Sequence, residues 1–171
     1  MEKIEDGAAY GKYQLFRTYT DQPEGAQKAK QNAIAALESA ELRDEPNVCL
    51  IGLWAYNPPK ILSAVTDKKK LGKVKIVGFD EDPETLQGIA DGYILGTVVQ
   101  NPYEFGFQSV KMMASLARGD KSIIPADGMF PIEFRIITKD GGKDYPETVH
   151  GQKKSIPVKE FRQQLDQLLG K

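Results

Sequence analysis

The chain is poor in the residues on which most protein chemistry is built. It has one histidine, His150, and one cysteine, Cys49. With no second imidazole or thiol, neither a zinc site nor a Ser-His or Cys-His nucleophile system finds support. A disulfide framework is excluded for the same reason. His150 lies in a polar stretch and reads as a solvated loop residue. Cys49 lies inside the apolar run Val48–Leu53 and reads as a small buried hydrophobe. No glycine-rich phosphate loop occurs: both G-x-x-x-x-G-K-[ST] and G-x-G-x-x-G are missing. The net charge of −1 leaves no electrostatic footprint for nucleic acid or an anionic membrane. No stretch approaches the roughly 20 apolar residues of a membrane helix. The first residues, Met1 to Asp6, carry no apolar core of a signal peptide, so an intact secretory precursor is not expected.

What is present is an ordinary globular balance over 171 residues, which suits one domain. The organising stretch runs from Lys73 to Gly106. Val74, Ile76 and Val77 form a short β-branched run that ends at Gly78-Phe79-Asp80. Asp82-Pro83 then opens a helix, with Asp as N-cap and Pro at the first helical position. Gly92 stops that helix, and a second apolar run, Ile94 to Val99, ends at Gln100. Asn101-Pro102 opens the next helix, with Glu104 completing a capping box.

The preceding chain repeats the pattern. Residues 1–11 read as a short helical stretch and Tyr13–Tyr19 as a strand. Asp21 reads as the cap of a helix, boxed by Glu24, with Ala26, Ala29, Ala33, Leu37 and Ala40 as its apolar stripe. Val48–Leu53 is a continuous apolar strand, and Asn57-Pro58-Pro59 opens a helix reaching Leu71. Lys68, Lys69 and Lys70 at its end read as a solvated face that favours the helix dipole. Alternation of apolar strands with helices predicts an α/β fold with a doubly wound, mostly parallel sheet, covered on both faces. Further on, 120–130 is a loop and Ile132–Thr138 another strand. Residues 141–154 are polar, and Pro157–Leu169 is an amphipathic helix with Val158, Phe161, Leu165 and Leu168 on one stripe.

The polar residues left at the strand ends are the functional candidates, since ligands bind at the carboxyl edge of an open α/β sheet. Asp82 and Asn101 are accounted for as caps and Glu81 as an exposed first-turn acid. Asp80 has no such role; a single carboxylate there suits a hydrogen bond to a polyol rather than paired acid–base chemistry. Gln100 has no local structural job because Asn101 already caps. Asn57 fits equally as a cap or as a ligand contact, and Trp54 and Tyr56 as core or as an aromatic platform. Aromatic faces beside amide and carboxylate groups make up the chemistry of a sugar site.

The run GFDEDPETLQGIADG followed by GTVVQNPYEFG resembles the carboxyl-terminal lobe of type I periplasmic sugar-binding proteins, the ribose-binding-like solute receptors of ABC transporters. The resemblance covers about residues 5–138 and extends in fold to the effector domains of lactose-repressor-type regulators. It implies a flavodoxin-like lobe of the periplasmic-binding-protein type I class, here incomplete. It implies that Asp80 and Gln100 contact the ligand from this lobe, that Asn57 in W-A-Y-N-P contacts the sugar from the preceding strand, and that Trp54 and Tyr56 border it. Residues 101–131 are implied to cross to a partner lobe, leaving 1–138 as the lobe and 139–171 as a polar loop with a terminal helix.

The function expected is monosaccharide binding without a chemical step, metal or cofactor. The partners expected are the missing amino-terminal lobe or a second copy of the chain, and the membrane subunits of an ABC transporter, in a periplasmic or extracytoplasmic setting. A ligand-sensing regulator core and a small flavodoxin-like enzyme are the alternatives. The first strand of the lobe, expected between Tyr13–Tyr19 and Val48–Leu53, is missing, so those two strands either pair directly or leave open edges that recruit another chain.

Overall fold

The structure, a computed structural model, describes residues 5–22, 25–142, 148–149, 152–153 and 155–170. Its centre is a five-stranded sheet in the order β3 (Cys49–Ile51), β4 (Lys75–Phe79), β5 (Gly96–Val99), β6 (Arg135–Thr138) and β9 (Ser155–Pro157). All neighbouring pairs are parallel except β5 with β6. The predicted α/β class with a mostly parallel sheet is therefore what the chain adopts. The remaining strands form two short antiparallel pairs: β1 (Ala9–Tyr10) with β2 (Tyr13–Gln14), and β7 (Thr148–Val149) with β8 (Gln152–Lys153).

The helices are α1 (Ala26–Leu42), α2 (Asn57–Asp67), α3 (Pro83–Asp91), α4 (Pro102–Ala117) and α5 (Val158–Leu168). α1 packs on α2, α2 on α3, and α3 on α5, so four of them form a row. That row closes one core, in which Leu37, Val65, Ile76, Ile89, Ile137 and Phe161 are almost fully buried. β3, β4 and β5 step across the sheet in one direction, and right-handed crossovers in one direction deposit α2 and α3 on the same face. A second helical layer would need a strand that reverses the direction, and none lies among the described residues. The opposite face is consequently open: Cys49 and Lys75 are exposed on it, and Ile51 is 60 % exposed.

Several expectations are corrected here. Tyr13–Tyr19 does not form a strand of the main sheet; only Tyr13–Gln14 is extended, in the small hairpin with β1. Leu15 continues the hairpin through backbone bonds with Gly7 and Ala8, but a strand requires a ladder partner for its backbone groups, and among the described residues none adjoins 16–20. The part of 1–11 that is described is turn and strand rather than helix. Because Tyr13–Tyr19 does not pair with it, β3 is an open edge. Cys49, expected to be buried, is exposed there, although partial burial still pushes its thiol up from the ordinary value.

The terminal segment is built into the fold. β9 extends the sheet beside β6, and α5 inserts Val158 and Phe161 into the common core. The lysine run does more than face solvent. Lys68 pairs with Glu38 and Lys70 with Glu41, both at 2.6 Å, tying the end of α2 to α1. These pairs lower Glu41 and raise Lys68 from their ordinary values; as exposed pairs they add little stability.

α4 stands apart from this core. None of its residues is buried, and Tyr103, Phe107, Val110 and Met113 are exposed along it, with the Tyr103 and Phe107 rings stacked 6.2 Å apart. Phe105, Met112 and Leu116 mark a second apolar side, about half covered, and a helix apolar on two sides with neither of them buried is unusual in water. His150 and Glu24 lie outside the described residues.

Candidate functional site

The local chemistry at the carboxyl edge follows the residue types. The Asp82 carboxylate accepts from the backbone N–H of Glu84 at 2.8 Å and of Thr85 at 3.2 Å, which caps α3. Asn101 Oδ1 accepts from the backbone N–H of Glu104 at 3.2 Å, which caps α4. With both helix starts satisfied, Asp80 and Gln100 are left free at the ends of β4 and β5. They line one cleft of about 440 Å³ together with Ala55, Glu81, Asp82 and Pro102. That volume falls in the range of small-molecule sites, roughly 300–1,000 Å³.

Asp80 has a left-handed backbone, with φ of 65°. Its N–H donates to the Val98 carbonyl at 2.8 Å, and its carbonyl accepts from the Thr97 hydroxyl at 2.8 Å. Just behind it, Gly78 lets the first turn of α2 press on β4: a Cβ there would lie 2.6 Å from Pro58 Cγ.

Asn57 has a different environment. It is 8 % exposed, and its Oδ1 accepts from the N–H groups of Leu53 at 3.1 Å and Trp54 at 2.9 Å. Its Nδ2 donates to the Asp21 carboxylate at 2.8 Å. Asn57 therefore ties the loop after β3 to the segment before α1. Asp21, expected to cap α1, spends its carboxylate on this bond, and the N-cap position of α1 is Gly25, which offers no side-chain cap. The Tyr56 hydroxyl is buried beside them, and burial together with the neighbouring Asp21 carboxylate raises its phenol from the ordinary value. Trp54 is 59 % exposed.

Of the five residues singled out from sequence, Asp80 and Gln100 are brought together in the cleft. Asn57, Trp54 and Tyr56 are not among its lining residues, though Ala55, between Trp54 and Tyr56, is. Asp21 as the partner of Asn57 and Thr97 as the partner of Asp80 were not anticipated. No local signal marks the first; a threonine inside the apolar run Ile94–Val99 is a signal for the second.

The sequence profile described as "Periplasmic binding protein domain" matches residues 1–121. The D-allose-binding periplasmic protein of Escherichia coli is 32% identical over 118 residues, covering 66% of this chain and 36% of that protein. The ribose import binding protein RbsB of Salmonella typhimurium is 26% identical over 89 residues, covering 51% of this chain and 29% of that protein. Among solved structures, the glucose-galactose binding protein GanP of Geobacillus stearothermophilus superposes with a TM-score of 0.56 at 30% identity, over 71% of this chain and 39% of GanP. The chain thus spans about a third of the length of the curated relatives it matches. β6, β9 and α5 lie beyond the matched residues.

Proposed function

Because the chain belongs to the periplasmic binding protein domain family, matched over residues 1–121, we propose that it supplies one wall of a monosaccharide-binding cleft. The observation that carries this reading is the meeting of Asp80 and Gln100 at the carboxyl edge, two polar side chains with no structural duty. Asp80 accepts from ring hydroxyls, and Gln100 both donates and accepts. Trp54, exposed next to the lining residue Ala55, offers an aromatic face to a sugar's C–H face. Asn57 holds the loop that presents it, through the N–H groups of Leu53 and Trp54. The relatives named above bind allose, ribose, glucose or galactose by name, so the ligand class is an aldose. The role is capture without a chemical step, as the solute receptor of an ABC transporter outside the cytoplasmic membrane.

Titration with D-allose, D-ribose, D-galactose and D-glucose tests this reading. The chain is expected to bind weakly, since one wall supplies only part of the contacts. Asp80→Ala should weaken the best ligand by about 1–3 kcal/mol, the cost of leaving hydroxyl partners unpaired. Equal affinity with and without the carboxylate contradicts the reading, as does turnover of a glycoside that disappears on Asp80→Asn.

The opposite wall comes from a complementary lobe or a second copy of the chain. Support comes from the exposed stripes of α4 and from the β3 edge, whose run Val48–Leu53 carries neither charge nor proline to discourage pairing. Such an interface should bury more than about 1,000 Å². For the chain alone, the second copy is the occupant available, and light scattering is expected to give twice the 19.0 kDa of one chain. Cys49 at that edge should label slowly in the assembly, even at alkaline pH, and rapidly once the assembly is diluted apart. A single 19.0 kDa species with freely labelled Cys49 contradicts it.

A further inference from the structure

We infer that Thr97 is a positioning residue of the sugar site, acting through Asp80; the inference rests on the reading of Asp80 as a ligand contact. The left-handed region that Asp80 occupies, at φ 65°, costs backbone energy for any residue with a Cβ. Aspartate tolerates it better than most residues, and glycine tolerates it without cost. Conformations of this kind persist only where the surroundings hold them, and they gather at binding sites.

Two bonds hold Asp80. One is the ladder bond from its N–H to Val98; the other is the Thr97 hydroxyl on its carbonyl, 2.8 Å away. Thr97 is 1 % exposed, in the middle of the apolar strand β5 and directly opposite Gly78. Valine would fill the same volume there with apolar contacts alone, so packing gives no reason for a hydroxyl. The carbonyl it binds belongs to the one residue in a strained conformation at the cleft. Held this way, the Asp80 carboxylate is presented beside Gln100 before any ligand arrives, which spares part of the ordering cost of binding.

The test uses the full chain, D-allose as the probe, and two independent readouts. In a melting experiment, Asp80→Gly should unfold roughly 2–4 °C above Asp80→Ala, because alanine keeps the strain and glycine removes it. Adding Thr97→Val to both should shrink that gap. In the titration, Thr97→Val should weaken D-allose roughly 3–10-fold, the effect of losing one buried hydrogen bond, and Thr97→Ser should restore most of it. In the Asp80→Ala background, Thr97→Val should cause no further loss.

A Thr97→Val loss that persists in full in that background, or that serine fails to rescue, overturns the inference. So does a melting gap unchanged by Thr97→Val. If Asp80→Ala itself leaves the affinity untouched, the sugar-site reading falls and the inference falls with it. The melting comparison then still reports on the strain, so the two failures are told apart.

Discussion

Phe161→Ala is expected to cost the fold about 3–5 kcal/mol. Phe161 is 1 % exposed, in the core shared by the sheet and the row of helices, with the Arg135 guanidinium 6.0 Å from its ring centre. Truncation leaves a cavity that cannot collapse without moving α5 off β6 and β9. Domains of this size are stable by only about 5–15 kcal/mol, so the variant should unfold at much lower urea. The prediction is informative because Phe161 lies beyond the residues matched to the family, in a segment that sequence alone treats as an extension. A loss under about 1 kcal/mol, the size of a surface change, would mean that β9 and α5 are not part of the cooperative unit.

Asn57→Ala is expected to cost about 2–4 kcal/mol. It strips the acceptor from two backbone N–H groups, those of Leu53 and Trp54, and leaves the buried Asp21 carboxylate without its donor. Asp21→Asn should cost less than half as much, because an amide oxygen still accepts from Asn57 and carries no charge to desolvate. Trp54 is the only tryptophan, so its emission reports directly on the loop that Asn57 holds. Native-state emission should change in Asn57→Ala and stay near the parent in Asp21→Asn. Unchanged stability in Asn57→Ala, combined with lost sugar binding, would return Asn57 to a ligand contact alone.

The features that sequence made legible are those fixed within a few residues. Asp82 and Asn101 cap their helices as expected because a cap needs only the next turn of backbone. Once they are assigned, Asp80 and Gln100 stand out by elimination, and the structure brings both to one cleft. The misread features depend on distant neighbours. Whether Cys49 is buried is decided by what adjoins the outer side of β3, and among the described residues no strand pairs there. Asp21 has the right spacing for a cap, but a buried amide 36 positions away competes for its carboxylate. Pro157 reads as the first residue of the terminal helix, but it ends the strand Ser155–Pro157. That strand lies at the sheet edge, where a missing N–H is tolerated. Tyr13–Tyr19 has strand composition throughout, but only Tyr13–Gln14 finds a partner strand among the described residues, and composition cannot supply the rest.

A sugar captured by this chain should bind in the cleft beside Asp80 and Gln100. The most direct measurement is an amide chemical-shift map of the chain as D-allose is added to saturation, with a non-sugar polyol as control. The predicted result is a saturable shift confined to Ala55, Asp80, Glu81, Gln100 and their immediate neighbours, absent in Asp80→Ala. Saturable shifts elsewhere on the sheet, or none that exceed the polyol control, would contradict it.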